Sequence, residues 1–152
     1  MSENICSVTM AHMMLPQHAN PAGNVHGGVI MKFIDDAAGV VAIKHARTNV
    51  VTAAIERLDF HRPVFIGNLL IVKACLNVTG RSSMEIGVRV EAEDLLVGET
   101  RHIASAYLTF VSLDNTGRPL PVLPFTPTTE DGIRRAREAA NRKQCFLQNK
   151  QS

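Results

Sequence analysis

Cysteine is scarce: Cys6, Cys75 and Cys145 are the only three in 152 residues, an odd number set far apart, with no C-x-x-C pair and no cysteine–histidine cluster at zinc spacing. A disulfide framework is excluded, and a reducing, cytoplasmic setting is expected. With 7 prolines, 10 glycines, 20% charged residues and no biased tract, collagen-like, low-complexity and disordered classes are excluded too. No apolar run approaches the roughly 20 residues that span a bilayer, and Met1-Ser2-Glu3-Asn4 has no basic lead into an apolar stretch, so neither insertion nor export is expected. Also missing are the G-x-S-x-G elbow, the G-x-x-x-x-G-K-[ST] phosphate loop, H-E-x-x-H and G-x-G-x-x-G. The six histidines are never spaced to share a helix face, and no metal or cofactor is expected.

What remains is one domain whose core is large enough, burying roughly 70% of the unfolded chain's surface, to hold without staples. A first strand is expected over Ile5–Met14. The segment 18–28 holds three glycines and a proline, which makes it a loop. From Val29 to about Lys44 apolar residues return at three- and four-residue steps, a helix. Four strands follow, over 50–60, 69–78, 83–93 and 99–113. The third is the clearest, because Met84, Ile86, Val88 and Val90 alternate with Glu85, Gly87, Arg89 and Glu91, a sheet with one covered and one wet face. A Pro-rich linker, 119–127, leads into a C-terminal helix over about 129–148. Residues 134–152 carry six basic side chains and one acid, a local +5 that leaves about −3 for the rest. Without interleaved aromatics this stretch reads as a solvated helix face, not a nucleic-acid site. Strands follow one another after a single helix, so the class is α+β: a curled antiparallel sheet wrapped around a central helix, with a core over about 5–115.

Polar groups concentrate at the mouth of that helix: Asn20, Asn24, His26, Gly27 and Gly28, then Asp35 and Asp36 two turns inside. At about 100° per residue, Asp35 projects roughly 140° from Ile30 and Asp36 roughly 240°. Asp35 therefore borders apolar neighbours on a shoulder, where a carboxylate is partly desolvated yet reachable, as a general base should be. A glycine-framed helix N-terminus offers free N–H groups and the positive dipole end to developing oxyanion charge. Together they describe acyl transfer to water. With no evident acid to protonate an amine or alkoxide, the leaving group that fits is a thiolate, whose conjugate thiol has a pKa near ~8.5.

The run Asn20-Pro-Ala-Gly-Asn-Val-His-Gly-Gly-Val-Ile-Met-Lys-Phe-Ile-Asp-Asp-Ala-Ala-Gly39 then Arg47–Ala54, Asp59-Phe-His61, Ser82–Ile86 and Ala104–Leu113 resembles the hotdog-fold acyl-CoA thioesterases. The likeness spans about residues 5–145 and is nearest to the brain-type cytosolic acyl-CoA hydrolases and their bacterial single-domain relatives. It implies a single hotdog domain over 1–152, hydrolysis of fatty acyl-CoA to free acid and coenzyme A, a homodimer with sheets paired edge to edge as the minimal active unit, and trimers of dimers. It places the catalytic carboxylate on Asp35, the loop asparagine on Asn20, facing Asp35 of the second chain, and the carbonyl-polarising N–H on Gly27, with His26 and Gly28 shaping the turn. Substrate contacts are expected at Phe60, along the acyl chain, at His61 and Arg62, and at the turn Gly80, Arg81, Ser82, Ser83. Two other readings stay open: a dehydratase, which needs a histidine base aimed at the α-carbon, and an acyl-CoA-binding protein without activity.

Overall fold

A computed structural model describes residues 6–151, with side chains through residue 145. Ile5, the expected start of the first strand, lies outside the described residues. The order is β1 (Ser7–Met13), α1 (Gly27–Ala46), β2 (Asn49–Phe60), β3 (Leu69–Thr79), β4 (Ser83–Asp94), β5 (Glu99–Leu113) and α2 (Glu130–Gln151). All five strands pair antiparallel, in the order β1-β3-β4-β5-β2. β1 and β2 are therefore the free edges. This is the hotdog arrangement that the resemblance implies.

The alternation of β4 decides which face meets α1. Met84, Ile86, Val88, Val90 and Ala92 are all buried, and their row continues through register partners Phe110, Leu108, Ala106 and Ala104 on β5 and Val72 and Ala74 on β3. Against this face α1 presents Ile30, Ile34, Ala37, Ala38, Val41 and Ala42, all buried. The alanines let the helix approach closely, and truncating Ile34 or Leu108 to alanine would cost about 2–5 kcal/mol through the cavity left behind. α1 starts two residues earlier than its apolar period suggests. The His26 ring caps it, with Nδ1 accepting the Gly28 N–H at 3.1 Å, so the two glycines form the first turn instead of preceding it.

On the other sheet face lies α2. The solvated basic face expected of this helix holds at Arg134 and Arg137, which are exposed, and fails at Arg142. The Arg142 guanidinium donates two 2.9 Å bonds to the Glu85 carboxylate and stacks 3.6 Å from the centroid of the Tyr107 ring. Ala139 packs beneath, 2% exposed. The segment before α2 is tied to the sheet end: the Leu120 N–H donates to Ser112 O, the Val122 N–H to Arg81 O, and the Phe125 N–H to Thr79 Oγ1. Among the described residues no helix is long and apolar enough to cross a membrane.

Candidate active site

The loop before α1 is stiff, and Asn20 makes it so. Its Oδ1 accepts the Ala22 and Asn24 N–H groups at 2.9 and 3.1 Å, closing an Asx turn that Gly23 completes at φ +91°. Bridges from Ala19 to Val25 and from Asn24 to Phe65 fasten the loop, and the Val25 N–H donates to Val64 O at 2.8 Å. Among the described residues only the oxygen of the Asn20 amide is engaged, and its N–H groups have no partner. At the helix mouth the Gly28 N–H is taken by His26, whereas among the described residues the Gly27 N–H has no hydrogen-bond partner. Asn20, Gly27, Ile30, Phe60, His61 and Arg62 line one open cleft of about 330 Å³. The structure thus gathers five of the expected residues at one mouth.

Asp35 is not among them. It is half-buried on the shoulder of α1 that faces β2, where its Oδ1 accepts the Thr52 hydroxyl at 2.7 Å. Thr52 faces the helix because it pairs with buried Phe110 on β5, just before the bulge between Thr52 and Ala54 shifts the alternation of β2. Asp36, by contrast, is exposed and pairs with Lys32 at 3.0 Å. Asp35 lies eight residues beyond Gly27, about 12 Å along the helix axis at 1.5 Å per residue. One chain therefore cannot bring both to the same carbonyl.

His26 serves as the helix cap, and a Cβ on Gly28 would press on its ring at 3.3 Å. The turn Gly80-Arg81-Ser82-Ser83 is closed by the Gly80 N–H donating to Ser83 O at 2.8 Å, and a Cβ at Gly80 would make the Ser83 hydroxyl, 2.5 Å from it, turn away. This turn and the His61–Arg62 pair are not brought together within one chain. Phe60 registers with Ala104 and so with Val90, while Ser83 registers with Val111, seven residues along β4 and roughly 23 Å at about 3.3 Å per residue.

Two site residues carry no signal in the sequence pattern. Thr52 is one, since its partner is fixed by strand register. His102 is the other: its ring lies 4.9 Å from that of His61, with Nε2 3.1 Å from Ala104 O and 2.8 Å from Ser105 Oγ. Burial, and then the nearby Arg89 guanidinium, hold the His102 imidazole below its ordinary value, outweighing the Ala104 carbonyl and Glu91. Among the described residues no group of three or more His, Cys, Asp or Glu side chains is placed to hold a metal ion.

Comparison with known proteins adds a second line. Residues 22–99 match the model of the thioesterase superfamily. The cytosolic acyl coenzyme A thioester hydrolase of Rattus norvegicus is 38% identical over 144 residues, 93% of this chain and 37% of that protein. The chain thus spans less than two fifths of the mammalian relative. An uncharacterized acyl-CoA thioester hydrolase of Bacillus subtilis is 35% identical over 143 residues, 90% of this chain and 83% of its own. Among solved structures, an apo-hexameric acyl-CoA thioesterase superposes with a TM-score of 0.91 at 35% identity, covering 95% of this chain and 92% of that one. The acyl-CoA hydrolase of Staphylococcus aureus, in complex with butyryl coenzyme A, coenzyme A and coenzyme A disulfide, superposes at 0.83 and 31%, covering 98% and 92%. That hydrolase is also known with single alanine replacements of an aspartate, an asparagine and a threonine.

Proposed function

The chain belongs to the thioesterase superfamily, and from that premise we propose that it hydrolyses acyl-CoA to a carboxylic acid and coenzyme A at sites shared between two copies of itself. The observation that carries the reading is the trio Asn20, Asp35 and Thr52. The three residues replaced in the Staphylococcus aureus hydrolase, an asparagine, an aspartate and a threonine, are separated by 15 and 17 positions, as are these three. The 2.7 Å bond from Thr52 to Asp35 gives the third member a physical role.

In this reading the thioester carbonyl rests on the Gly27 N–H at the positive end of α1, where negative charge develops as the tetrahedral centre forms. Asp35 of the second copy, its carboxylate held by Thr52, removes a proton from water or attacks the carbonyl itself. The Asn20 amide orients the water or the carbonyl oxygen. The thiolate of coenzyme A departs without needing an acid. His26 is committed to capping α1, so it is a poor candidate for the α-carbon base of a dehydratase. Exposed Val40 and Ile43 on α1 and Val51 and Ile55 on β2 lie near the free edge where a second sheet would pair. A fatty acyl chain, a hexamer of three dimers and coenzyme A contacts at His61, Arg62 and the Gly80–Ser83 turn belong to the same proposal.

Release of free thiol from a panel of acyl-CoA esters of increasing chain length tests it. Asp35→Ala should lose about 10²- to 10⁴-fold in kcat. Asp36→Ala, which gives up only an exposed pair worth about 0.3–0.5 kcal/mol, should turn over like the unaltered protein. Undiminished turnover by Asp35→Ala would sink the assignment.

A further inference from the structure

Glycine inside a helix weakens it, because glycine loses more backbone freedom on folding than alanine does. Beyond the two glycines of its first turn, α1 nevertheless holds a third, Gly39, in its interior. Nothing within the chain requires it. Its φ is not among the positive ones, so no left-handed backbone calls for a glycine. A Cβ added there would rest 3.7 and 3.9 Å from atoms of the Phe110 ring, an ordinary contact, whereas one on Gly87 would lie 2.8 Å from Asn77 Nδ2 and force a shift. Alanine would fit at Gly39 and hold the helix better. Where a local rule is broken with no local gain, function is the usual reason.

The position of Gly39 says which function. Steps of four residues bring Met31, Asp35 and Gly39 onto one shoulder of α1, each a turn apart. The ring that a Gly39 side chain would touch belongs to Phe110, the register partner of Thr52, whose hydroxyl holds Asp35. The half-buried, bare backbone at Gly39 therefore stands beside the clamped carboxylate, about 6 Å along the helix axis. Toward the mouth this shoulder carries the long Met31 side chain; away from the mouth the surroundings are open and apolar. Ile43, a turn beyond Gly39, is 48% exposed, and Val50, two residues before Thr52 on the same face of β2, packs at the edge of the core. In the proposed reaction the coenzyme A end lies at the cleft with His61 and Arg62, so the acyl group leaves the carbonyl in the other direction. Resting on that reading, we propose that Gly39 determines specificity for the acyl group: a straight chain passes over its backbone between Phe110, Ile43 and Val50. The glycine gives up helix stability for room beside Asp35.

Thiol release from acetyl-CoA and octanoyl-CoA by Gly39→Ala and Gly39→Val, beside thermal melting and sedimentation of each variant, tests this. An acetyl group ends short of the glycine, whereas an octanoyl group crosses it. The ratio of kcat/KM for octanoyl-CoA to that for acetyl-CoA should fall roughly 10-fold in Gly39→Ala and further, up to about 200-fold, in Gly39→Val, the range that small changes of volume command in an apolar site. Gly39→Ala should also melt about 2–4 °C above the unaltered protein and sediment with it. An unchanged ratio would overturn the proposal while leaving hydrolysis at Asp35 standing. A lower melting temperature or a smaller assembly in Gly39→Ala would also overturn it, by assigning the glycine to packing between copies. No thiol release from any ester by the unaltered protein would remove the hydrolytic reading, and the acyl site with it. The alanine variant keeps the test decisive should Gly39→Val fail to fold.

Discussion

Two inactive variants should repair each other when mixed. Gly27 and Asp35 stand about 12 Å apart along one helix, whereas reacting groups must approach to about 3–3.5 Å. In the proposed reaction each site then draws Asn20 and Gly27 from one copy and Asp35 and Thr52 from the other. Asn20→Ala and Asp35→Ala alone should each fall by about 10² or more in kcat, since one removes a positioned donor and the other the base. When the two are unfolded together and refolded, random pairing makes half of the dimers hybrids. In a hybrid, one site carries both substitutions and the other carries neither. Half of the sites in half of the dimers are intact, so about a quarter of wild-type thiol release returns, whatever larger closed assembly the dimers join. The controls are each variant refolded alone and the doubly substituted chain refolded with either one, none of which regenerates an intact site. If differently tagged chains co-purify, proving exchange, and the mixture remains as slow as its components, the shared-site geometry is wrong.

Thr52→Val removes the hydroxyl that holds Asp35 while keeping a β-branched side chain in the strand, and kcat should drop by about 10- to 100-fold through misplacement of the carboxylate; Thr52→Ser should restore most of it, and equal rates for both would refute the positioning role. Arg142→Met strips Glu85 of its partner where the two side chains are only 20% and 11% exposed, at a cost of about 2–3 kcal/mol. The melting temperature should then fall by roughly 5–10 °C, and trypsin should cut within α2 before the sheet; a melt within 1–2 °C of wild type would mean that the pair does not anchor the helix. His102, held neutral by burial and Arg89, binds its proton more readily in the unfolded chain, so its contribution is present above the ordinary histidine value of about 6.5 and lost as pH falls through the depressed folded value. Arg89→Gln should raise the His102 titration midpoint followed by NMR; an unchanged midpoint would remove Arg89 from the cause.

The elements most plainly written in the chain are those whose two faces differ. β4 declares itself because Met84, Ile86, Val88 and Val90 all meet one helix, and α1 because its stripe meets one sheet. Legibility stops where an element's surroundings are decided by distant residues. Glu85 and Gly87 belong to the wet half of the β4 alternation, and nothing local says that Arg142, 57 residues later, will cover that end. Thr52 is similar. The threonine sits in a strand with two register shifts, both after it, and its register with Phe110 is what aims it at α1. The helix start was obscured for the opposite reason: Gly27 and Gly28 look like breakers, and the His26 cap that recruits them is a side-chain bond with no periodic trace.

The division of the chemistry follows from what a helix can offer at each height. An unpaired N–H exists only in the first turn, because every later one is consumed by the carbonyl four residues back. A carboxylate held in one orientation needs a donor from outside the helix, and that donor appears where β2 runs alongside, two turns on. In the proposed reaction the oxyanion donor and the clamped base thus belong to different levels of α1. A loop folded over the helix could bridge them in one chain, but the loop before α1 is already tied down at Asn20, Val25 and His26. The remaining economical solution is a second helix related by a twofold axis, laid so that the middle of one faces the mouth of the other. That symmetry produces two equivalent sites from a single set of residues.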